Sequence, residues 1–323
     1  MTLPTVASLW IGGNISFLEQ VCLQSFVDHG HRTLLYTYGD VVNAPPGVEV
    51  LDAEAIYPTA QMVRHKNGSP APTADIFRYQ LLKEQAVIWI DADILCMRSW
   101  DFTTPHVYGW ERTGKLLCNA VLGLPKSSET LARILAFCQD EYPIPPWAGE
   151  EEKKHLSAAA KAGNPVHVSE LKWGVWGPSA LTHFLRETGE VSHAMPEEAF
   201  YPVSFKNRRD FLAPGRLKEA DLGAGCYGVH LWNRRVSRRI VTVERGFPHP
   251  HSFIGRALIR HRIDPRLAPI PDRPPPGSPS RAELGASPDY ARADLYGPLI
   301  SDPVNVMTNA GKGTGCHRQG IRA

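Results

Sequence analysis

Two carboxylates stand one residue apart at the end of an apolar run in the segment VIWIDADILCMRSW, residues 87–100. Acids at the end of a core strand repel each other and lose hydration, so a compensating charge is expected. In extended backbone, residues i and i+2 point to the same side, which lets Asp91 and Asp93 converge on one point. Two oxygen donors there suit a divalent cation such as Mg²⁺ or Mn²⁺. A cation bridging both acids to a diphosphate would stabilise the negative charge on a departing diphosphate.

A solvated turn after Ile90 is the alternative interpretation, because a D-x-D pattern also arises by chance. The residues that precede the acids favour the metal site. In ADIFRY, Asp75, Arg78 and Tyr79 occupy positions i, i+3 and i+4 of a predicted helix and lie near one face. We expect this helix to pack beside the acid strand, so that Arg78 holds a sugar hydroxyl or an acidic neighbour. A surface ion pair is the simpler explanation of the same spacing.

The elements that must position these residues follow a strand–helix–strand order. TVASLWIGG predicts a first strand, ISFLEQVCLQSFVDHG a helix that ends at Gly30, and RTLLYTYG a second strand. TADIFRYQLLKEQA then predicts the helix that carries Arg78, and VIWID a third, buried strand. This order is typical of an α/β fold with a mostly parallel central sheet, in which ligands bind beyond the carboxyl ends of the strands.

The second half of the chain is less regular. EEEKKHLSAAAKAG predicts a polar helix, GPSALTHFLRETG a helix that begins near Pro178, and CYGVHLWNR one further short strand. Ten prolines fall between Pro265 and Pro303, so we expect a disordered or loosely packed tail. The sequence therefore predicts a catalytic domain at residues 1–263 and a Pro-rich tail at residues 264–323.

Composition limits the class of protein. The 323 residues are 43% hydrophobic and 21% charged with a net charge of +2, as in an ordinary globular protein without a nucleic-acid partner. Ten arginines and three acids fall in residues 232–273, which gives that window a charge of 10 − 3 = +7. The six cysteines include no CxxC pair, which favours reduced thiols and a cytoplasmic location. Neither a signal peptide nor a transmembrane segment is expected.

Several motifs in chain order resemble those of D-x-D glycosyltransferases of the family 32 type, a group that includes α-1,4-galactosyltransferase-like, α-mannosyltransferase-like and bacterial capsule or lipopolysaccharide enzymes. The motifs are LWIGG, ADIFRYQLLKEQAVIWIDADI, CNAVLGLPK, WGPSALTHFL, FYPVSF and HLWNR, across roughly residues 7–235. The resemblance implies a GT-A type nucleotide-diphospho-sugar transferase fold and a role in polysaccharide biosynthesis. It also implies hexose transfer, with retention, from a UDP- or GDP-linked donor to a glycan or glycolipid hydroxyl, with Mn²⁺ or Mg²⁺ as cofactor.

The resemblance also implies roles for individual residues. Trp10 matches an aromatic residue near the nucleotide base, although a core tryptophan is equally consistent with its position. Asp75 and Arg78 match the pair that touches the donor sugar. Asp91 matches the acid near the ribose, sugar and metal, and Asp93 the direct metal ligand. Arg78, Asp91 and Asp93 are thus the candidate catalytic residues.

Four more residues complete the predicted site. His230 matches a C-terminal ligand of the metal or diphosphate, and an imidazole ligand favours Mn²⁺ over Mg²⁺. Asn119 matches a polar residue that lines the sugar pocket, Asn233 is a weaker candidate of the same kind, and Tyr79 lies on the helix face of the sugar-binding pair. A core histidine and turn asparagines are the alternatives. No acid can be singled out as the base that an inverting enzyme requires.

Two regions and two rival functions remain open. Residues 139–172 are the predicted acceptor-side region, because they are polar and lie outside the nucleotide-binding motifs. The Arg-rich residues 234–262 predict either peripheral contact with the inner membrane face or a solvated basic surface. The rivals are a metal-dependent hydrolase or phosphodiesterase, which usually needs more ligands than are evident here, and a non-catalytic nucleotide-sugar- or glycan-binding protein.

Overall fold

The computed structural model describes residues 2–272, 280, 282–285 and 287–301. Its strands are β1 (Val6–Trp10), β2 (Thr33–Thr37), β3 (Val48–Asp52), β4 (Ile88–Ile90), β5 (Ile94–Cys96), β6 (Val107–Arg112), β7 (Leu116–Gly123) and β8 (Gly228–His230). Its α-helices are α1 (Phe17–Asp28), α2 (Ala71–Glu84), α3 (Glu129–Cys138), α4 (Glu150–Lys161), α5 (Ala180–Glu187), α6 (Asn233–Thr242), α7 (Phe253–Arg260), α8 (Tyr290–Asp294) and α9 (Tyr296–Ser301).

The main sheet has the strand order β3-β2-β1-β4-β7-β6. Strands β3, β2, β1 and β4 pair in parallel, whereas β7 is antiparallel to both of its neighbours. Five strands therefore run in one direction and β7 in the other. The predicted α/β fold with a mostly parallel central sheet is confirmed.

The first unit of the sheet forms because its local signals agree. Strand β1 is apolar except for Ser8 and nearly all buried, as a strand covered on both faces requires. Helix α1 begins with a capping box, in which Ser16 accepts from the N–H of Leu18 and Glu19 accepts from the N–H of Ser16 at 2.9 Å. The first predicted helix and its two flanking strands are confirmed.

A second, two-stranded sheet joins distant parts of the chain. Strand β5 follows the acid pair directly, and it pairs antiparallel with β8 so that Ile94 lies opposite His230. This pairing brings a segment near residue 230 against the end of β4. No local sequence pattern predicts such a contact, because it depends on the pairing of two three-residue strands far apart in the chain.

Helix α5 begins slightly later than the sequence predicts. A π-helical turn at Val175–Ser179 contains Pro178, and α5 starts at Ala180. Gly177 within this turn has non-helical backbone angles, φ −96° and ψ −121°. The structure also adds the β6–β7 hairpin and helices α3, α6 and α7 to the elements predicted from sequence.

The structure packs part of the region predicted as a loose tail. Tyr296 is fully buried among apolar side chains, and its hydroxyl donates to the carbonyl of Pro248 at 3.0 Å. The carbonyl of Ala268 accepts from the N–H of Phe17, the first residue of α1, at 2.7 Å. The prediction is corrected where Ile270, Ala293 and Tyr296 pack into the core beside α1 and α7, whereas Leu267, Tyr290 and Leu295 are exposed. Residues 273–279, 281, 286 and 302–323 of the predicted tail lie outside the described residues.

The described cysteine side chains lie in the protein interior. Within the described residues, the cysteines are all buried and free: Cys22, Cys96, Cys118, Cys138 and Cys226. Cys316 lies outside the described residues. None of the helices in the described part of the chain combines the length and apolar character needed to span a bilayer.

Close backbone contact at α7 gives a test of the fold. A Cβ atom added to Gly255 would lie 2.1 Å from the carbonyl oxygen of His249 and 2.7 Å from that of Pro250. We expect Gly255→Ala to lower the free energy of unfolding by about 1–3 kcal/mol, because backbone atoms must move. Gly39→Ala is the matched control, since an added Cβ meets nothing within 4 Å there. Equal urea midpoints for the two variants would contradict the packing of α7.

Candidate functional site

The acid pair lies in a turn between β4 and β5. The N–H of Ile94 donates to the carbonyl of Asp91 at 3.1 Å, and the N–H of Asp91 donates to the carbonyl of Ala120 in β7 at 2.7 Å. The extended backbone assumed from the sequence is therefore wrong for Asp91 and Asp93. They converge because the turn is closed by its own hydrogen bond and anchored to the sheet.

Asp91, Asp93 and His230 form a group of candidate metal ligands. One potential ligand atom from each lies within 4.8 Å of the others. His230 Nε2 lies 3.2 Å from Asp93 Oδ1, whereas its Nδ1 is buried without a hydrogen-bond partner. Burial would lower the pKa of His230, but the charge of Asp93 raises it above its usual value. Burial would conversely raise the pKa of Asp93, yet His230 and the N–H of Asn233 lower it.

The backbone around residues 231–233 fixes the orientation of Asp93. The N–H of Asn233 donates to Asp93 Oδ2 at 2.9 Å, and the N–H of Leu231 donates to the Asp93 carbonyl at 2.9 Å. Trp232 between them has φ +58°, and its ring centroid lies 4.0 Å from that of His230. Left-handed backbone is uncommon for a bulky residue, and such strain clusters at functional sites. The arrangement holds the carboxylate and the imidazole in fixed positions.

Arg78 lies buried between two carboxylates. Its guanidinium is 3.2 Å from Asp75 Oδ1 and 3.1 Å from Asp91 Oδ1. It also donates to the carbonyl of Asn119, and it lies over the Trp89 ring at 4.7 Å. Burial alone would lower the pKa of Arg78, but Asp91 and Asp75 raise it. The compensating charge expected beside the acid pair is thus supplied in part by this arginine.

Besides Arg78, the buried side chain of Asn119 holds Asp75 in place. Asn119 Nδ2 donates to Asp75 Oδ1 at 2.8 Å and lies 3.3 Å from the hydroxyl of Tyr79. That hydroxyl donates in turn to the carbonyl of Trp176 at 3.0 Å. Burial raises the pKa of Asp75 to about 6, despite Arg78 and Asn119. Gly177 is required here, because an added Cβ would lie 2.6 Å from Asp75 Oδ2.

One cleft of about 590 Å³ joins these groups. Its walls carry the sugar-binding and metal-binding candidates together with aromatic and basic side chains from later in the chain. The lining residues that bear on its chemistry are Asp75, Arg78, Asp91, Asp93, Glu111, Asn119, Trp173, Phe205, His230, Trp232, Arg234 and Arg235. The cleft thus combines carboxylates for a cation with aromatic and hydrogen-bonding groups for a sugar.

Three predicted residues lie outside this lining. Tyr79 is fully buried beneath the cleft, and Asn233 is buried behind Asp93, where its Nδ2 donates to Glu19 at 2.8 Å. Trp10 lies at the carboxyl end of β1, opposite Thr37 in β2, and its indole donates to the carbonyl of Gly13 at 2.7 Å. Thr37 lines a second cavity, of about 400 Å³, at the ends of β2 and β3.

The structure adds residues to the cleft that sequence reasoning missed. Glu111 on β6 is half-buried, and burial raises its pKa. It was missed because the β6–β7 hairpin was not predicted. Trp173 is 48% exposed, unusual for so large an apolar ring, and Arg234 lies over it at 5.1 Å. In the sequence, the aromatic and arginine residues around residue 232 were the pattern that could have indicated this wall of the cleft.

Residues 169–248 match a family model described as the alpha 1,4-glycosyltransferase conserved region. The chain carries a glycosyltransferase region. The prediction of a glycosyltransferase is confirmed at this level. The matched region supplies Trp173, Trp232 and His230 to the cleft, whereas the acid turn and the buried arginine of α2 precede it. Both parts of the chain therefore meet in one cleft.

Among solved structures, the PaToxG glycosyltransferase is similar to this chain at 15% sequence identity. The TM-score is 0.38, and the match covers 58% of this chain and 69% of that chain. No curated protein sequence matches the chain.

Proposed function

We propose that the protein is a metal-dependent glycosyltransferase of the D-x-D type that moves a hexose from a nucleotide sugar to a hydroxyl. The observation that carries this proposal is one cleft in which Asp91, Asp93 and His230 stand beside the buried Asp75–Arg78 pair, in a chain with a glycosyltransferase region. The candidate ligands lie just beyond the carboxyl end of β4, where parallel sheets bind their ligands.

The residues present fit a divalent cation. Two carboxylates and one imidazole converge within 4.8 Å, a donor set that suits Mn²⁺ better than Mg²⁺. When bound there, the cation would neutralise diphosphate oxygens and stabilise the leaving group. The protein orients the carboxylates for the cation. Asp91 Oδ1 forms an ion pair with Arg78 and accepts a hydrogen bond from the Trp89 indole at 2.8 Å. Each acid is therefore held in place before ligands arrive.

The buried polar chain below the cleft suits the donor sugar. Asp75, Arg78 and Asn119 fix one another, so a sugar hydroxyl would meet preorganised donors and acceptors at little reorganisation cost. Trp10 is proposed to contact the base of a UDP- or GDP-linked donor. Trp10 stands at the carboxyl end of β1, opposite Thr37 of the cavity at the ends of β2 and β3, so the nucleoside would extend from the diphosphate along the ends of β1 and β2.

Retention of configuration remains part of the proposal, and product analysis decides it. Glu111 is the cleft carboxylate that lies outside both the metal group and the Asp75–Arg78 pair. An inverting reaction would need such a base to accept the proton of the acceptor hydroxyl. If the transferred sugar has the inverted anomeric configuration, we assign the role of this base to Glu111.

The acceptor is proposed to be a glycan or glycolipid in polysaccharide biosynthesis, in the cytoplasm. None of residues 139–172 lines the cleft, although Trp173 and Gly174 directly after them do. Peripheral membrane contact through residues 234–262 would rest on α6, since Arg256 and Arg260 on α7 both pair with Glu219, at 3.2 Å and 2.8 Å. A paired arginine contributes less to the attraction of an anionic surface.

Calorimetry with UDP- and GDP-sugars, with and without Mn²⁺, tests the proposed function. We expect one class of nucleotide sugar to bind with at least about tenfold higher affinity when Mn²⁺ is present, a gain of about 1.4 kcal/mol. Metal binding without any nucleotide-sugar affinity would instead indicate the hydrolase alternative. Nucleotide-sugar binding without transfer to any glycan would indicate the other alternative, a non-catalytic binding protein.

A further inference from the structure

A third concave site, apart from the cleft and the cavity at the ends of β2 and β3, lies between α6 and the 3₁₀ turn at residues 205–211. Five arginines line it, namely Arg208, Arg209, Arg235, Arg238 and Arg239, and we call it the arginine pocket. Its volume is about 180 Å³. Since a water molecule takes about 30 Å³ of the liquid, the arginine pocket has room for a phosphoryl group with some of its hydration.

The positive charge of the arginine pocket is largely uncompensated. Arg239 pairs with Glu244 at 3.4 Å, but in the described part of the chain the other four arginines have no carboxylate within ion-pair distance. The nearby Asp210 pairs with Arg216, outside the pocket lining, at 3.5 Å. Burial, together with Arg209 and Arg235, lowers the pKa of Arg208. Like charges held this close favour the binding of an anion.

The arginine pocket adjoins the catalytic cleft. Arg235 lines both, and Arg238 and Arg239 follow it at i+3 and i+4 on the same face of α6. Helix α6 begins at Asn233, whose N–H donates to Asp93. A molecule that reaches from the arginine pocket into the cleft would therefore pass along one helix face to the candidate metal ligands.

We propose that the arginine pocket binds a phosphoryl group of a phosphorylated acceptor. The inference has a binding half, that the pocket binds a phosphoryl group, and an acceptor half, that this group belongs to the sugar acceptor. Only the acceptor half rests on the proposed function. Guanidinium groups match phosphate oxygens in bidentate geometry, and several of them converge here. Buried Leu212 and Val236 form an apolar base that suits the carbon skeleton next to the phosphate. A concave site also suits a single group better than a flat membrane surface does.

The binding half is tested with inorganic pyrophosphate and no added metal, so that the acid group cannot recruit it. The variant is Arg209→Ala with Arg238→Ala, and the control is Arg32→Ala, an exposed residue that pairs with Glu49 at the amino end of β2. Calorimetry is expected to show at least about a tenfold weaker affinity in the double variant, because charge-assisted bonds are lost. The control should bind as the native protein does. Equal affinities in all three proteins overturn the proposal.

The acceptor half is tested by transfer to a phosphorylated glycoside and to its dephosphorylated form. The double variant should raise the KM for the phosphorylated acceptor alone, with kcat and donor affinity unchanged. An equal change for both acceptors overturns this half. If the double variant loses binding to phosphatidylglycerol vesicles but keeps pyrophosphate affinity, the arginines serve a membrane surface and the proposal is wrong. If the protein transfers no sugar yet binds pyrophosphate as expected, the proposed function fails and the anion site stands.

Discussion

Asp93→Asn is expected to reduce kcat/KM for sugar transfer by at least about a hundredfold, or 2.7 kcal/mol. Asparagine keeps the size of the side chain and can still accept the N–H of Asn233, which lies 2.9 Å from the carboxylate. It removes the charge that a divalent cation requires and weakens the pairing with His230. Loss of activity should therefore be accompanied by loss of Mn²⁺-dependent donor binding.

Asp28→Asn is the control for this prediction. Asp28 ends α1 and accepts from His261 at 2.7 Å, at the end of the helix remote from the acid turn. Like Asp93→Asn, this substitution replaces a carboxylate that pairs with a histidine by an amide. Asp28 does not line the cleft, so the cleft keeps its charges. Mn²⁺ dependence that persists in Asp93→Asn would contradict the assignment of Asp93 as a ligand.

Arg78→Ala is expected to lower the free energy of unfolding by about 3–5 kcal/mol, the usual cost of breaking a buried ion pair from one side. The arginine side chain is 5% exposed, and its removal leaves Asp75 without a cation inside the protein. Urea denaturation measures the change. Adding Asp75→Asn should recover part of the loss, because the uncompensated carboxylate is then gone.

Arg32→Ala supplies the comparison for Arg78. Its ion pair with Glu49, at 2.7 Å, is exposed, with 60% and 46% of the side-chain surfaces accessible. Exposed pairs contribute about 0–1 kcal/mol. A loss below about 1 kcal/mol in both variants would mean that the buried chain of polar groups does not support the cleft.

The local parts of the site could be predicted from sequence because their signals are local. The spacing of Asp75 and Arg78 puts these two side chains in contact within one turn of α2, and the apolar strand β4 leads directly into Asp91. Buried apolar strands alternating with a capped helix likewise define the β1–α1–β2 unit. In each case the pattern that forms the element also positions the side chain.

The remaining parts depend on contacts between distant segments. The pairing of β5 with β8, which brings His230 to the acids, involves only three residue pairs, too few to leave a periodic pattern. The β6–β7 hairpin has irregular register, so its alternation is weak and no strand pattern in the sequence marks Glu111. The burial of Tyr296 in the predicted tail is a tertiary effect, which proline content, a local property, does not predict.

The central claim is that Asp91, Asp93 and His230 hold a divalent cation against the diphosphate of a nucleotide sugar. Crystals grown with Mn²⁺ and a UDP- or GDP-sugar, with anomalous data at the manganese absorption edge, test it most directly. The account predicts one anomalous peak in bonding contact with these three side chains and with a diphosphate oxygen. A nucleotide sugar bound in the cleft with manganese elsewhere, or with none bound, would contradict it.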